Sequence, residues 1–131
     1  MDPAHLTVVA GGAPSIARWR RGNPGQRLDL SGADLRRLEL RGLNLAGCVL
    51  RHANLSGVDL TLTDLSEADL YGADLSHAVL RKAALYRSNL ADADLTGADL
   101  RGAGMYRAVI RGARTEGADF TGAAMLKVAR L

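Results

Sequence analysis

The sequence predicts an all-β solenoid, because its apolar residues return every five positions between Leu28 and Lys127 without an insertion. Every fifth residue counted from Leu30 is large and apolar, with Thr115 as the exception. Two positions before each of these, the residue is mostly small, and alanine is the commonest. A helix would place apolar residues at i, i+3 and i+4, and a strand would alternate strictly, so neither explains a period of five. A short period held this long is typical of stacked structural repeats.

The residue between the two apolar positions is usually Asp or Asn, as in Ala53-Asn54-Leu55 and Ala73-Asp74-Leu75. This motif resembles the pentapeptide-repeat family over residues 28–127. The resemblance implies a right-handed quadrilateral β-helix with four pentads to a coil, so that residues twenty apart lie above one another. The repeat then makes about five coils, a stack about 24 Å tall at about 4.8 Å per coil. Leucine and alanine fill the tube, and we expect no interior space for a ligand.

Residues 1–27 do not follow the repeat and are predicted to form an N-terminal segment with a short capping helix. The apolar run Leu6–Ala10 suggests an extra strand that ends at Gly11 and Gly12. Pro14 and Ser15 then indicate the start of a helix, with Ser15 as the candidate N-cap. We expect this helix to present Arg18, Arg20 and Arg21 to water and to end at the turn residues Gly22–Gly25.

Ile16 and Trp19 are the candidate cap residues, because they give this helix an apolar side. The ends of a solenoid expose its core and need covering. The first coil carries Leu38 and Leu43 where later coils mostly carry alanine, which offers the cap more apolar surface. A helix with Trp and Arg before the repeat also fits the family resemblance. The less favoured interpretation is an arginine-rich arm that binds nucleic acid.

The C-terminal tail, residues 128–131, is too short to form a second capping helix. An uncovered end would leave an apolar patch of the kind that marks an interface. Its candidate dimer residues are Phe120, Met125, Leu126, Val128 and Leu131. Several gyrase-protecting members of the family dimerise through their C-terminal ends, and the resemblance implies a homodimer here. The alternative is a tail that folds over the end.

Composition argues against catalysis and against a bound cofactor or metal. The one cysteine, Cys48, falls in the inward small column, and a single cysteine permits neither an internal disulfide nor a Cys-based zinc site. His5, His52 and His77 share no column of stacked residues. No signal peptide or membrane span is recognisable, so a cytoplasmic protein without a membrane partner is expected. We expect a protein that is not an enzyme.

Because the interior is filled, any function must lie on the outer surface of the tube, whose charges are nearly balanced. The chain has a formal net charge of +3, but residues 28–127 hold thirteen carboxylates against twelve basic side chains, a net charge of −1. On most of the surface, acids and arginines alternate as solvated charge ladders. The aspartates follow the repeat, which indicates a role in turns rather than in metal binding.

One surface differs, and it holds the candidate partner face: Tyr86, Tyr106, Arg87 and Arg107. The two tyrosines are twenty apart and should stack, with the arginines stacked beside them. The usual Asp or Asn is replaced there by Ala84, Gly104 and Ala124. Tyr and Arg on a flat, weakly acidic surface have the composition of an interaction hot spot. The alternative is a tyrosine ladder that only stabilises the stack.

The sequence therefore favours a binding or scaffold protein that presents rigid β-helix faces to a partner protein whose identity it does not reveal. The family resemblance adds an alternative, protection of DNA gyrase or topoisomerase IV by mimicry of duplex DNA. Mimicry needs a strongly negative rod, because DNA carries one charge per about 1.7 Å. Direct nucleic-acid binding is the least favoured class, because the arginines alternate with acids.

Overall fold

A computed structural model describes residues 1–131, which form two helices followed by a β-solenoid. Helix α1 spans Pro3–Ala10 and helix α2 spans Gly12–Gly22. The solenoid has no continuous strands. Most pentads contribute one isolated parallel bridge to the residue twenty positions later, from Asp29↔Val49 to Val109↔Ala129. A coil of the tube therefore contains four pentads, and each pentad forms one flat face.

The inward columns fill the tube completely in its middle coils. The Leu column from Leu30 to Met105 is 0–1% exposed, and the small residues beside it are nearly as well buried. Two polar residues enter the small column, and both are satisfied. The Thr63 hydroxyl donates to the Leu40 carbonyl and the Ser88 hydroxyl to the Leu85 carbonyl, each at 2.8 Å. Cys48 is buried, and burial raises the pKa of its thiol to about 11, which keeps it neutral and unreactive.

Apart from the corner at Arg37, each corner of the coil is made by a tight turn whose second residue has a left-handed backbone. Glycine adopts this conformation freely, as at Gly57 with φ of 69°. At several corners a larger residue adopts it instead, including Arg87 with φ of 55°. The Asp or Asn before the turn accepts a hydrogen bond from the amide two residues later, as Asp74 does from Ser76 at 3.0 Å. The repeated aspartates thus cap turns, as the sequence predicts.

The prediction of a strand at Leu6–Ala10 is wrong, because this run lies in helix α1. The Asp2 side chain accepts a hydrogen bond from the Ala4 amide at 2.9 Å, and Pro3 stands at the first helical position. Both features favour helix initiation and were overlooked beside the apolar run. The prediction of Ser15 as an N-cap is also wrong. Helix α2 begins at Gly12, directly after Gly11, so Ser15 lies inside its first turn.

The two helices lie over the first coil, and Val9 and Ile16 belong to the same apolar core as the tube. Trp19 is partly buried against that core. The expectation that Arg20 faces water is wrong: its Nη2 donates to the carbonyls of Asn44 and Ala46, at 3.0 Å each. These carbonyls lie at the N-terminal edge of the first coil, where no preceding coil supplies amides to bond them. Arg18 and Arg21 are exposed, as expected.

The C-terminal end of the tube is uncovered. Ala129 pairs with Val109, so the tail begins a further coil instead of folding over the end. Phe120 and Met125, which stand in the inward column, are partly exposed there. They border an open cavity of about 460 Å³.

Candidate protein-interaction surfaces

Because the interior is filled, the outward side chains of the four faces are the candidates for function. We number the faces by their first-coil residues: face 1 begins with 28–32, face 2 with 33–37, face 3 with 38–42 and face 4 with 43–47. Each continues every twenty residues. Two side chains per pentad stand at the corner, and the Asp or Asn position lies between the inward residues.

Face 4 carries the aromatic and basic residues that the sequence singles out. The Tyr86 and Tyr106 rings stack with their centroids 5.4 Å apart and their planes within 13°. The Arg87 guanidinium lies 5.3 Å from the Tyr86 centroid, and that of Arg107 lies 5.4 Å from the Tyr106 centroid. The Arg107 Nε also donates to the Tyr106 hydroxyl at 3.1 Å. The structure thus brings all four predicted residues together.

This cluster has a flat, uncharged border. Ala84, Gly104 and Ala124 occupy the positions that hold aspartates on other faces, and they pair with one another through backbone bridges. Tyr86 is 38% exposed, and Leu126, one coil beyond Tyr106 in the same column, is 66% exposed. Tyr86, Tyr106 and Leu126 therefore form a continuous apolar column on the outside of the tube.

Faces 2 and 3 carry paired charges. Arg36 binds Asp34 through two hydrogen bonds, and the Arg36 side chain together with the Arg36 amide lowers the pKa of Asp34 to about 2. The Asp99 carboxylate forms ion pairs with Arg101 of its own coil and with Arg81 of the preceding coil. These arginines hold the pKa of Asp99 far below its ordinary value. Exposed pairs of this kind contribute little stability because solvent screens them, and they largely neutralise both faces.

The comparisons with known proteins agree with this geometry. The family model for pentapeptide repeats matches residues 29–67 and 63–102, with eight copies. A crystal structure of a pentapeptide repeat protein from the thylakoid lumen of Arabidopsis thaliana is 40% identical, covers 70% of this chain and superposes with a TM-score of 0.68. The chain belongs to the pentapeptide repeat family. Its fold is accordingly the right-handed quadrilateral β-helix expected from the motif.

Two other solved structures, the first of them a pentapeptide repeat protein, are similar in sequence but superpose poorly. Rfr23 from the cyanobacterium Cyanothece 51142 is 27% identical over 83% of this chain and 68% of its own, with a TM-score of 0.35. QnrB1, a plasmid-mediated fluoroquinolone resistance protein, is 24% identical over 74% of this chain and 60% of its own, with a TM-score of 0.36. This pentapeptide repeat chain spans 64% of the length of the Arabidopsis protein. A search of curated proteins finds no match.

Face 1 of the pentapeptide repeat carries a cluster that sequence reasoning missed. The Arg51 guanidinium lies 4.5 Å from the centroid of the Tyr71 ring and binds Asp69 at 3.0 Å. The Tyr71 hydroxyl donates to Asp92 at 3.1 Å, and the His52 ring packs edge-on against Tyr71. Arg51 and Tyr71 are twenty apart, so reading every column at that spacing would have found them. Every charge in this cluster has a partner within the tube.

The candidate dimer residues of the pentapeptide repeat divide between two places. Phe120 and Met125 line the open end, and Val128 packs partly against the core. Leu126 stands on the outer column of face 4, and Leu131 is fully exposed at the terminus. The end therefore offers a smaller apolar surface than the sequence suggested.

The remaining titratable residues of the pentapeptide repeat do not assemble into a reactive site. His5 lies at the cap, where its Nδ1 accepts a hydrogen bond from the Asp29 amide at 2.8 Å, whereas His52 and His77 stand on corners of the tube. No group of three or more His, Cys, Asp or Glu residues is arranged to hold a metal ion. Neither helix could cross a membrane. The cytoplasmic location expected from the sequence stays a prediction.

Proposed function

We propose that this pentapeptide repeat protein is a non-enzymatic binding protein that presents face 4 to a partner protein. The observation that carries the proposal is the stack of Tyr86 and Tyr106, flanked by Arg87 and Arg107, on a strip without carboxylates. Tyr and Arg dominate the energetics of protein interfaces. The backbone beneath them consists of paired coils and does not need to be ordered on binding.

Preorganisation strengthens this argument. Each tyrosine is held by the other ring and by a guanidinium, so binding would cost little side-chain entropy. The arginines of faces 2 and 3 other than Arg37 are paired with carboxylates, as Arg36 is with Asp34. Arg87 and Arg107 have no ion-pair partner in the chain. Face 4 therefore combines stacked tyrosines with arginines that are available to another protein.

The experiment is a pull-down from the native cell with a Tyr86→Ala, Tyr106→Ala variant. The third tyrosine, Tyr71, lies on face 1 within a satisfied cluster, so Tyr71→Ala is a matched control. We expect the double variant to lose a partner that the wild type and Tyr71→Ala both retain, while its circular-dichroism spectrum is unchanged. A double variant that keeps every partner would show that face 4 is not the binding surface.

We also propose a homodimer formed through the open C-terminal end. Phe120 and Met125 are partly exposed there beside a cavity of about 460 Å³, and no part of the chain covers them. Exposed apolar patches of this kind mark interfaces. Light scattering at increasing concentration should show a dimer for the wild type and a monomer for Met125→Glu. A wild type that stays monomeric at all concentrations would refute the dimer.

Gyrase or topoisomerase IV protection by DNA mimicry is the weaker alternative. The repeat has a net charge of −1, and its carboxylates on faces 2 and 3 are largely paired with arginines, as Asp99 is with Arg81 and Arg101. Such a surface lacks the dense negative charge of a duplex. Rescue of gyrase supercoiling from a quinolone by the purified protein would support mimicry in place of the face 4 proposal.

A further inference from the structure

A column of cations runs along the corner between faces 4 and 1. Arg87, Arg107 and Lys127 are twenty apart and occupy the second turn position, with φ of 55°, 59° and 57°. This left-handed conformation directs each side chain away from the tube, and all three residues are exposed. Adjacent coils lie about 4.8 Å apart, so the three charges follow one another closely along the axis. We call these three residues the cationic edge.

The cationic edge is not neutralised within the chain. None of its members takes part in any of the ion pairs of the structure. By contrast, three arginines on faces 2 and 3 each have an aspartate oxygen within 4.0 Å: Arg36, Arg41 and Arg101. Since like charges one coil apart repel, an unpaired column costs stability and is readily relieved by an anionic partner.

Few carboxylates surround the edge. On one side stand the uncharged positions 84, 104 and 124, and on the other side stand Asn89, Val109 and Ala129. Arg111 adds a further exposed cation without an ion pair on face 1. The nearest acids are Glu67, one coil before Arg87 in the same column, Asp64 and Asp69 in the two flanking columns of that coil, and Asp92 on the next corner. The positive charge is thus concentrated on one side of the C-terminal half of the tube.

We propose that the cationic edge binds an acidic segment of the partner protein, with its aspartates and glutamates on Arg87, Arg107 and Lys127. This inference rests on the proposed function, since the edge borders the tyrosine column of face 4. A guanidinium presents paired N–H donors that match a carboxylate, and such charge-assisted hydrogen bonds are among the strong ones. The exposed ends of Tyr86 and Tyr106 and the side chain of Leu126 would contact apolar residues that flank the acids.

Nucleic acid is the competing polyanion, and the tyrosine geometry argues against it. Proteins that bind single strands stack bases on open aromatic faces. Here Tyr86 and Tyr106 stack on each other at 5.4 Å, and each has a guanidinium over its ring. A base therefore meets ring faces that are already occupied. Carboxylates need only the guanidinium and ammonium groups, which form no ion pair within the chain.

The test is a fluorescence-anisotropy titration of the full chain with a fluorescein-labelled peptide of alternating Glu and Ser residues. The edge variant carries Arg87→Gln, Arg107→Gln and Lys127→Gln. The matched control carries Arg36→Gln, Arg41→Gln and Arg101→Gln, which lowers the net charge equally but removes paired cations. We expect the wild type and the control to bind with similar affinity and the edge variant to bind at least about 10-fold more weakly. Binding should weaken as salt is raised.

Four outcomes would overturn the proposal: no binding by the wild type, equal weakening in both variants, no weakening in the edge variant, or tighter binding of an oligothymidine than of the peptide. Equal weakening would mean that net charge alone drives binding. The pull-down with Tyr86→Ala, Tyr106→Ala separates this inference from the proposed function. If that variant loses its partner while the peptide fails to bind, face 4 remains the binding surface and its ligand is not acidic.

Discussion

The two ends of the tube are built from the same repeat and differ in what lies over them. At the N-terminal end, α1 and α2 cover the first coil, and Leu28 and Leu30 are 1% and 0% exposed. At the C-terminal end, Ile110, Phe120 and Met125 occupy equivalent inward columns and are partly exposed. An inward position in a solenoid is therefore buried only when a neighbouring coil or a cap lies on both sides.

The polar edges of the two ends differ in the same way. The first coil would leave backbone groups without partners, and the N-terminal segment supplies them. The Asp2 amide donates to the Asp29 carbonyl at 3.2 Å, and the Asp29 amide donates to the His5 Nδ1 at 2.8 Å. The Arg20 guanidinium donates to two further carbonyls of the first coil. The last coil has no such partners within the chain. An open sheet edge of this type is available to another chain.

The largest expected difference between the ends concerns their apolar contacts. Ile16→Ala removes a side chain that is 2% exposed and leaves a cavity between the cap and the first coil, so we expect a loss of about 2–4 kcal/mol in the free energy of unfolding. Met125→Ala removes a partly exposed side chain from the open end and should cost less than about 1 kcal/mol. Urea unfolding followed by circular dichroism measures both.

Trp19 provides a second signal in the same experiment. It is the one tryptophan of the chain, and it packs against the cap, with its ring 5.0 Å from that of His5. Ile16→Ala should shift the fluorescence transition of Trp19 to lower urea, whereas Met125→Ala should leave it in place. Equal losses from the two substitutions, measured at low protein concentration, would contradict the difference between a covered and a bare end.

A smaller effect is expected from the polar part of the cap. Arg20→Met keeps the aliphatic stem but removes the hydrogen bonds to the Asn44 and Ala46 carbonyls, and we expect a loss of about 1–2 kcal/mol. Arg18→Met is the matched control, since Arg18 is exposed on the same helix and should cost nearly nothing. Thermal unfolding compares the two. An equal change in both would mean that water satisfies the first-coil carbonyls as well as Arg20 does.

The tube could be predicted from its repeat, whereas the cap, which has no repeat, was predicted poorly. The period of five predicts the inward residues and the turns, and the four pentads per coil implied by the family resemblance predict that residues twenty apart stack, as Tyr86 does on Tyr106. The N-terminal segment has no period, so only local signals were available. The apolar run at residues 6–10 suggests a strand, but Asp2 and Pro3 before it favour the helix that forms.

The role of Arg20 could not be read from sequence at all. Arg18, Arg20 and Arg21 are alike in type, and only the docking angle of α2 decides that Arg20 reaches the first coil. The cationic edge was missed for a different reason. Net charge over residues 28–127 is close to zero, and it hides the fact that most acids of faces 2 and 3 form ion pairs while Arg87, Arg107 and Lys127 form none.

The smallest effect that we expect is on the pH dependence of stability, and it concerns one aspartate at each end of the tube. Asp29 and Asp119 both accept hydrogen bonds from a hydroxyl and an amide two residues later, Ser31 and Thr121 respectively, and these bonds lower the pKa of each below 3.8. A carboxyl with a lowered folded pKa contributes stability that is present above its unfolded pKa and is lost as the pH falls through the folded value. Both contributions should therefore disappear below about pH 4.

Substitution by asparagine keeps an oxygen acceptor and removes the titration. We expect Asp29→Asn to flatten the loss of stability below about pH 4, measured by urea unfolding, because the cap couples Asp29 to the whole tube. Asp119→Asn should change the same profile less, since an uncovered coil frays locally before the rest unfolds. If Asp119→Asn had the larger effect, the last coil would be held as firmly as the first, and a partner or second copy would have to be covering it.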